Sequence, residues 1–165
     1  IQGRDSSQIN IGAYYNNDLV AVMTFCRPRI LMNKTYMGKD GYWELSRFAT
    51  DINYHVVGIA SKMLSYFKRN YEFACIYSFA DLRWSKEDNN VYSQLGFSLE
   101  KKSNHPEYYY IISGKRMHRW GFRKDALREK FPEQYDPNKT EYENMLTLGY
   151  DRVWDCGHLK YTISN

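Results

Sequence analysis

The apolar period of this sequence changes several times between residues 42 and 97, and that pattern constrains the fold more than any other feature. Residues 42–49 (YWELSRFA) alternate as a strand does, with Trp43, Leu45 and Arg47 read onto one face. Residues 51–57 make a turn that leads to Gly58. Apolar residues then recur at Ile59, Ala60, Met63, Leu64 and Phe67, which is helical spacing, and leave Lys62, Lys68 and Arg69 free to stay wet. Residues 73–79 (FACIYSF) are short, apolar and strand-like. Residues 91–95 fit a short helix closed by Gly96, and a further strand starts at Phe97. Strand, helix, strand, helix, strand requires a sheet with helices packed on it.

The flanking segments extend that sheet. Residues 11–25 hold two β-prone runs around a three-residue Asn16-Asn17-Asp18 turn, a hairpin signal. Residues 26–41, with Pro28, Gly38 and Gly41, read as a loop. Past Phe97, residues 108–113 predict a strand before a Gly114-Lys115 turn, and residues 120–131 predict a helix stopped by Pro132. Thr140 with Glu143 forms a capping box for a helix through Leu148, and Gly149 suits its end. Residues 151–163 read as a strand pair turning near Gly157. The expected fold class is α+β (mixed α/β), a central sheet with flanking helices and a basic C-terminal appendix. The boundary is placed at residue 100, with 1–100 as core and 101–165 as an extension packed on it.

Charge separates the two parts. Residues 101–130 hold nine Lys or Arg against three Asp or Glu, in a chain of net charge +4, so the rest is slightly acidic. A basic block on a near-neutral body points to an anionic partner, or to a solvated basic face. Aromatic groups interleave with it: Lys115, Arg116, Arg119, Arg123 and Lys124 alternate with Tyr110, Trp120 and Phe122. Such cations neutralise phosphates, and rings stack splayed bases. The hydrophobic share of 43% and charged share of 25% exclude a disordered chain. No apolar run reaches membrane-spanning length and no secretory signal is seen, so a cytoplasmic protein is expected. Cys26, Cys75 and Cys156 are too few and too scattered for a disulfide framework, and the first two read as buried thiols. Cys156-x-His158, even with His118, is not a zinc spacing, and no metal site is expected.

Two constellations carry chemistry. In His55-Val56-Val57-Gly58-Ile59-Ala60-Ser61-Lys62, small residues open a helix whose free amides suit a pyrophosphate, although many ordinary helices start this way. In Val91-Tyr92-Ser93-Gln94-Leu95-Gly96-Phe97, the short helix aims a phenol at the sheet. Tyr92 either packs there or returns a proton to a departing thiolate, whose pKa lies close enough to its own. Asp81, past the end of a strand, is a turn residue, a proton acceptor or a group that reads a base edge. Arg47 on an apolar strand needs a carboxylate, with Asp81 a candidate, or a phosphate.

This order, with Tyr-x-x-x-Gly-Phe at its end, is similar to the core of the GNAT acyltransferase family. The family's coenzyme loop reads Gln/Arg-x-x-Gly-x-Gly/Ala, and His55-x-x-Gly58-x-Ala60 matches it with His in the first place. The two motifs stand 34 residues apart, from Gly58 to Tyr92, in the family's order. The resemblance implies that residues 43–97 are the coenzyme half, with acetyl-CoA or another acyl-CoA as cofactor. Val57, Gly58, Ala60, Ser61 and Lys62 would hold the coenzyme, and Tyr92, Asp81 and Arg47 would be catalytic. GNAT domains usually begin with a strand and one or two helices ahead of the hairpin. Only about ten residues precede it here, which leaves a truncated chain or a non-catalytic module as expectations.

A narrower resemblance covers the same third of the chain. Leu45-Ser46-Arg47, Ala60-Ser61, Tyr77-Ser78-Phe79-Ala80-Asp81 and Tyr92 look like blocks of the phage Mom family of DNA-modification proteins, which alter adenine using an acyl-CoA. The run Tyr108-Tyr109-Tyr110-Ile111, then His118-Arg119-Trp120, Phe122-Arg123-Lys124 and the later residues 149–157 resemble a tail of phage-encoded proteins, some of them homing endonucleases. These resemblances imply DNA as partner, a phage-infected host, and Lys115, Arg116, Arg119, Trp120, Arg123 and Lys124 as the nucleic-acid surface. The expected functions are a Mom-like DNA-base modifier, a DNA-binding module of a larger homing endonuclease, or an acetyltransferase for a small amine or protein.

Overall fold

A computed structural model describes residues 5, 7–28, 38–103 and 106–165. It divides the chain into two units, residues 1–102 with 158–165, and residues 103–157. Of the expected loop at 26–41, residues 29–37 lie outside the described residues.

In the first unit, the hairpin consists of β1 (Ile9–Tyr15) and β2 (Asp18–Cys26). Asp18 pairs with Tyr15, so the turn has two residues and not three. Asn16 and Asn17 both have positive φ (48° and 70°), as a two-residue turn matching strand twist requires. β3 (Tyr42–Thr50) pairs antiparallel with β2, and α1 (Ile59–Asn70) crosses to β4 (Cys75–Asp81), which lies parallel to β3. α2 (Val91–Gln94) and β5 (Ser98–Lys102) follow. The last strand, β9 (His158–Ser164), slots between β4 and β5, giving the sheet order β1-β2-β3-β4-β9-β5. The mixed α/β class, a central sheet with few helices, is the expected one.

α1 forms because Met63, Leu64 and Phe67 recur at helical spacing and bury against one sheet face. Phe67 stacks on Phe25 at 3.7 Å between centroids and meets Trp43 edge-on at 5.7 Å. The Trp43 indole donates to the Glu72 carbonyl at 3.1 Å, which satisfies its one polar atom. Cys26 and Cys75 are buried free thiols, as expected.

The smaller unit holds β6 (Tyr108–Ile112), β7 (Lys115–His118) and β8 (Arg152–Trp154) in the order β7-β6-β8. Its core is Tyr110, Phe122, Leu127 and Met145. The β6–β7 turn is Ser113-Gly114, both with positive φ, one residue earlier than expected. The expected helix at 120–131 is two pieces: a 3-10 turn (Arg119–Phe122) and α3 (Lys124–Lys130). Arg123 between them is extended (ψ 160°) and starts α3 afresh. α4 (Glu141–Thr147) carries the expected capping box in full. The expected strand pair at 151–163 does not form. β8 pairs with β6 in the small sheet, and β9 pairs with β4 and β5 in the large one.

Gly41 starts the β3–β4 pairing. Its carbonyl accepts from Ala74 N at 2.7 Å, and a Cβ there would lie 2.8 Å from that nitrogen. Its φ is also positive at 73°. Gly38 has nearly the same φ and open space around it. Gly41→Ala should therefore destabilise by roughly 3 kcal/mol, strain plus clash, and Gly38→Ala by about 1 kcal/mol, strain alone. Urea denaturation of the two variants checks the difference.

Candidate functional site

The β3–β4 ladder is short. Only Tyr42, Trp43 and Glu44 pair with Cys75, Ile76 and Tyr77. Beyond them β3 and β4 run on unpaired to each other, and the sheet opens into a fork. At the root of the fork the buried Ser78 hydroxyl takes over from the ladder and lies 2.8 Å from the Leu45 carbonyl. The Tyr92 hydroxyl lies 3.0 Å from Ser78 Oγ and 3.5 Å from the Phe79 carbonyl. Serine has a single proton. The Leu45 carbonyl and the Tyr92 hydroxyl oxygen share that proton, and the phenol keeps its own, with the Phe79 carbonyl as the acceptor in reach.

Tyr92 is held from several sides. Asn90 caps α2 by accepting from the Tyr92 and Ser93 amides, and its Nδ2 donates to the Tyr161 hydroxyl at 2.6 Å. Tyr161 stacks on the Tyr92 ring at 5.2 Å. Phe97 N donates to the Tyr92 carbonyl at 3.0 Å, closing the helix across Gly96, whose φ is 82°. Burial pushes the Tyr92 phenol above its ordinary pKa, the Ser78 bond offsets part of that, and the neighbouring Tyr161 adds to the rise. At neutral pH the phenol carries its proton.

α1 begins beside the same end of the sheet, because it leaves the carboxyl end of β3. Gly58 is its N-cap in a left-handed conformation (φ 73°), with no side-chain cap and open space where a Cβ would stand. Ile59 N reaches Val56 O and Lys62 N reaches Gly58 O, while the amides of Ala60 and Ser61 meet no acceptor among the described residues. No acid occupies the first turn. Val57 and Lys62 are exposed alongside. Donors without acceptors, a helix dipole and a nearby lysine suit a phosphate group.

The sheet has a second face. A bulge at Ser46 shifts the register, because Thr24 pairs with Arg47 but Phe25 pairs with Leu45. Arg47 is thereby turned away from Trp43 and Leu45, contrary to the sequence reading. It meets Asp5, not Asp81, with Nε 3.7 Å from Oδ2. Asp5 also accepts from Thr24 at 2.7 Å, Ser7 at 3.1 Å and Ser46 at 3.2 Å. Asp81 is the last residue of β4, not a residue beyond it, and its Oδ1 accepts from Arg83 N at 2.8 Å in a tight turn. Glu44, buried on this face, accepts from the Tyr77 hydroxyl at 3.2 Å. Tyr92 and the start of α1 thus share one face, and Arg47 and Asp81 share the other, with the fork between them.

Sequence reading passed over Asp5, Glu44, Asn90 and Tyr161. Asn90 had a signal, since Asn before a short apolar helix is a preferred cap. Asp5 had none, standing in a polar stretch without period.

In the smaller unit the basic residues separate by their neighbours. Arg119 pairs with Glu107 at 3.0 Å, and Lys124 Nζ donates to the Pro137 carbonyl at 3.3 Å. Arg119, Arg123 and Lys124 border a shallow groove of about 350 Å³ that Asp125 and Glu141 also line. Arg116 lies over the Tyr109 ring at 4.1 Å, and Arg123 over Trp120 at 3.7 Å. Lys115 is exposed at the start of β7.

No protein-family model matches the sequence, and no curated protein does. Among solved structures, the chain is similar to a GNAT family acetyltransferase from Elizabethkingia anophelis, crystallised with acetyl-CoA bound. Identity is 13% over 94% of this chain and 75% of that one, with a TM-score of 0.49. At that level the likeness carries no argument about this chain's chemistry. Among the described residues no helix is long and apolar enough to cross a membrane.

Burial alone would raise the Asp5 pKa, but the hydrogen bonds from Thr24, Ser7 and Ser46, and then the Arg47 charge, outweigh it and hold the carboxyl below its ordinary value. A depressed carboxyl stabilises the fold above its unfolded pKa, and that stability is lost as pH falls through the folded value. The stability advantage of wild type over Asp5→Asn should therefore be full at neutral pH and shrink below about pH 4. Thermal melts across that range read it directly.

Proposed function

We propose that this protein is an acyl-CoA-dependent transferase whose acceptor is the exocyclic amine of a nucleic-acid base, adenine first. The observation that carries the reading is the fork. It sets a protonated phenol, Tyr92, at the opening between two parallel strands, with phosphate-suited amides at the helix start on the same side. Open α/β sheets take ligands at the carboxyl ends of their strands, where both groups lie.

The coenzyme supplies an activated thioester. Gly58, Ala60 and Ser61 hold its pyrophosphate through backbone amides, with Val57 beside them, and Lys62 adds charge. The acyl–sulfur bond breaks as the acyl–nitrogen bond forms, and the Tyr92 hydroxyl proton goes to the leaving sulfur. Asp81 takes the proton that the amine gives up, through the carboxylate oxygen that Arg83 N does not use. Arg47, paired with Asp5, contributes positive charge on that face for an anionic acceptor. The adenine preference rests on the Mom-like blocks around Arg47, Ser78, Asp81 and Tyr92.

Calorimetry with acetyl-CoA and with CoA should show saturable binding by the whole chain, and heat-silent titrations with both would sink the transferase reading. Tyr92→Phe should keep that binding and lower kcat about 100-fold, the usual scale for a lost general acid. Mass analysis of nucleosides from cells expressing the chain should reveal an added group on adenine. Unmodified nucleosides, with acetyl-CoA binding intact, would move the acceptor to a small amine or a protein.

A further inference from the structure

The small sheet has two unlike faces. Tyr110 faces the core of that unit, packed on Phe122. Strand alternation and pairing put Tyr109 and Ile111 on the opposite face, with Arg116 and His118 beside them on β7 and Val153 on β8. Ile111 and Val153 are 43% and 48% exposed, too open for core residues.

Flat groups line up across this face. Arg116 lies over the Tyr109 ring at 4.1 Å. His118 meets Tyr109 edge-on at 5.2 Å. Trp120 follows His118 at 6.5 Å, and Arg123 covers Trp120 at 3.7 Å. The His118 ring is oriented by its Nδ1, which accepts from the Trp120 backbone amide at 3.2 Å. Trp120 is 57% exposed. The stripe therefore reads Arg116, Tyr109, His118, Trp120, Arg123, three rings with a guanidinium at each end.

We propose that this stripe binds single-stranded nucleic acid, with unpaired bases stacking along Tyr109, His118 and Trp120 and phosphates meeting Arg116 and Arg123. Rings can stack only on bases that have left a duplex, and a row of rings flanked by cations suits a strand that offers both bases and phosphates. The helices of this unit do not offer a duplex-reading surface. α4 carries Glu141 and Glu143 and no cation, and α3 mixes Asp125 and Glu129 among its basic groups. The inference rests on the reading that the acceptor is nucleic acid and deepens it. A base must be unstacked before its amine can react, and a single-strand platform supplies such bases.

The test is anisotropy of a labelled thymidine oligonucleotide and of a labelled hairpin duplex, using the full chain at several salt concentrations. The single strand should bind more tightly. Trp120→Ala should weaken it about tenfold, and Trp120→Phe should restore most of that. Arg116→Ala and Arg123→Ala should each reduce the log–log salt slope by about 0.7. Tighter duplex binding, with Trp120→Ala silent, would overturn the platform and leave the nucleic-acid acceptor standing. Binding to neither, with acetyl-CoA binding intact, would remove both the platform and that acceptor.

Discussion

Ser78 stands where the β3–β4 ladder ends, and the site depends on what its hydroxyl does there. A parallel pair that parts after three residues leaves backbone groups without ladder partners. The hydroxyl satisfies one of them, the Leu45 carbonyl, and the Tyr92 hydroxyl oxygen accepts from the same group. The fork is anchored at its closed end by Gly41, whose missing side chain lets the β4 backbone come to hydrogen-bond distance. One close approach and one hydroxyl define a gap that would otherwise close into an ordinary sheet.

The fork also lets the two faces of the sheet differ in charge. The helix face is apolar apart from Ser78 and the tyrosines, and it ends at the amides of Ala60 and Ser61, which meet no acceptor among the described residues. The other face holds the carboxylates Asp5, Glu44 and Asp81 together with Arg47 and Lys160, tied down by hydroxyls from Ser7, Thr24, Ser46 and Tyr77 and, for Lys160, by Glu100. Uncapped amides attract anions, whereas this face carries charges of both signs.

The periodic part of this arrangement was legible in the sequence. The period of α1, the Tyr92-x-x-x-Gly96-Phe97 exit and the Thr140–Glu143 box act locally, and each stands where the pattern puts it. What escaped was set by single residues that break a period. The Ser46 bulge reverses the side on which Arg47 lies, and alternation counted along residues 42–49 cannot register an inserted residue. For the same reason the carboxylate that Arg47 meets is Asp5 and not the candidate Asp81. Once turned over, the guanidinium faces Asp5, some forty residues earlier in the chain. The split of residues 120–131 came from Arg123, whose extended backbone no propensity would single out. Residues 151–163 read as a hairpin because both halves are strand-like, and nothing in their composition says that they belong to different sheets.

That last separation bears on how the site is assembled. The chain leaves the large sheet at Lys102, builds the small unit, and returns at His158 to insert β9 between β4 and β5. Tyr161, which stacks on Tyr92 and bonds to Asn90, comes with that returning strand. Before β9 arrives, β4 and β5 have no common neighbour and α2 lacks the ring that steadies its tyrosine. Closing so long a loop costs entropy that must be met before the pairing contributes, although the cost grows only slowly with length. The orientation of Tyr92 thus depends on a strand that the chain supplies only after it has passed through the small unit.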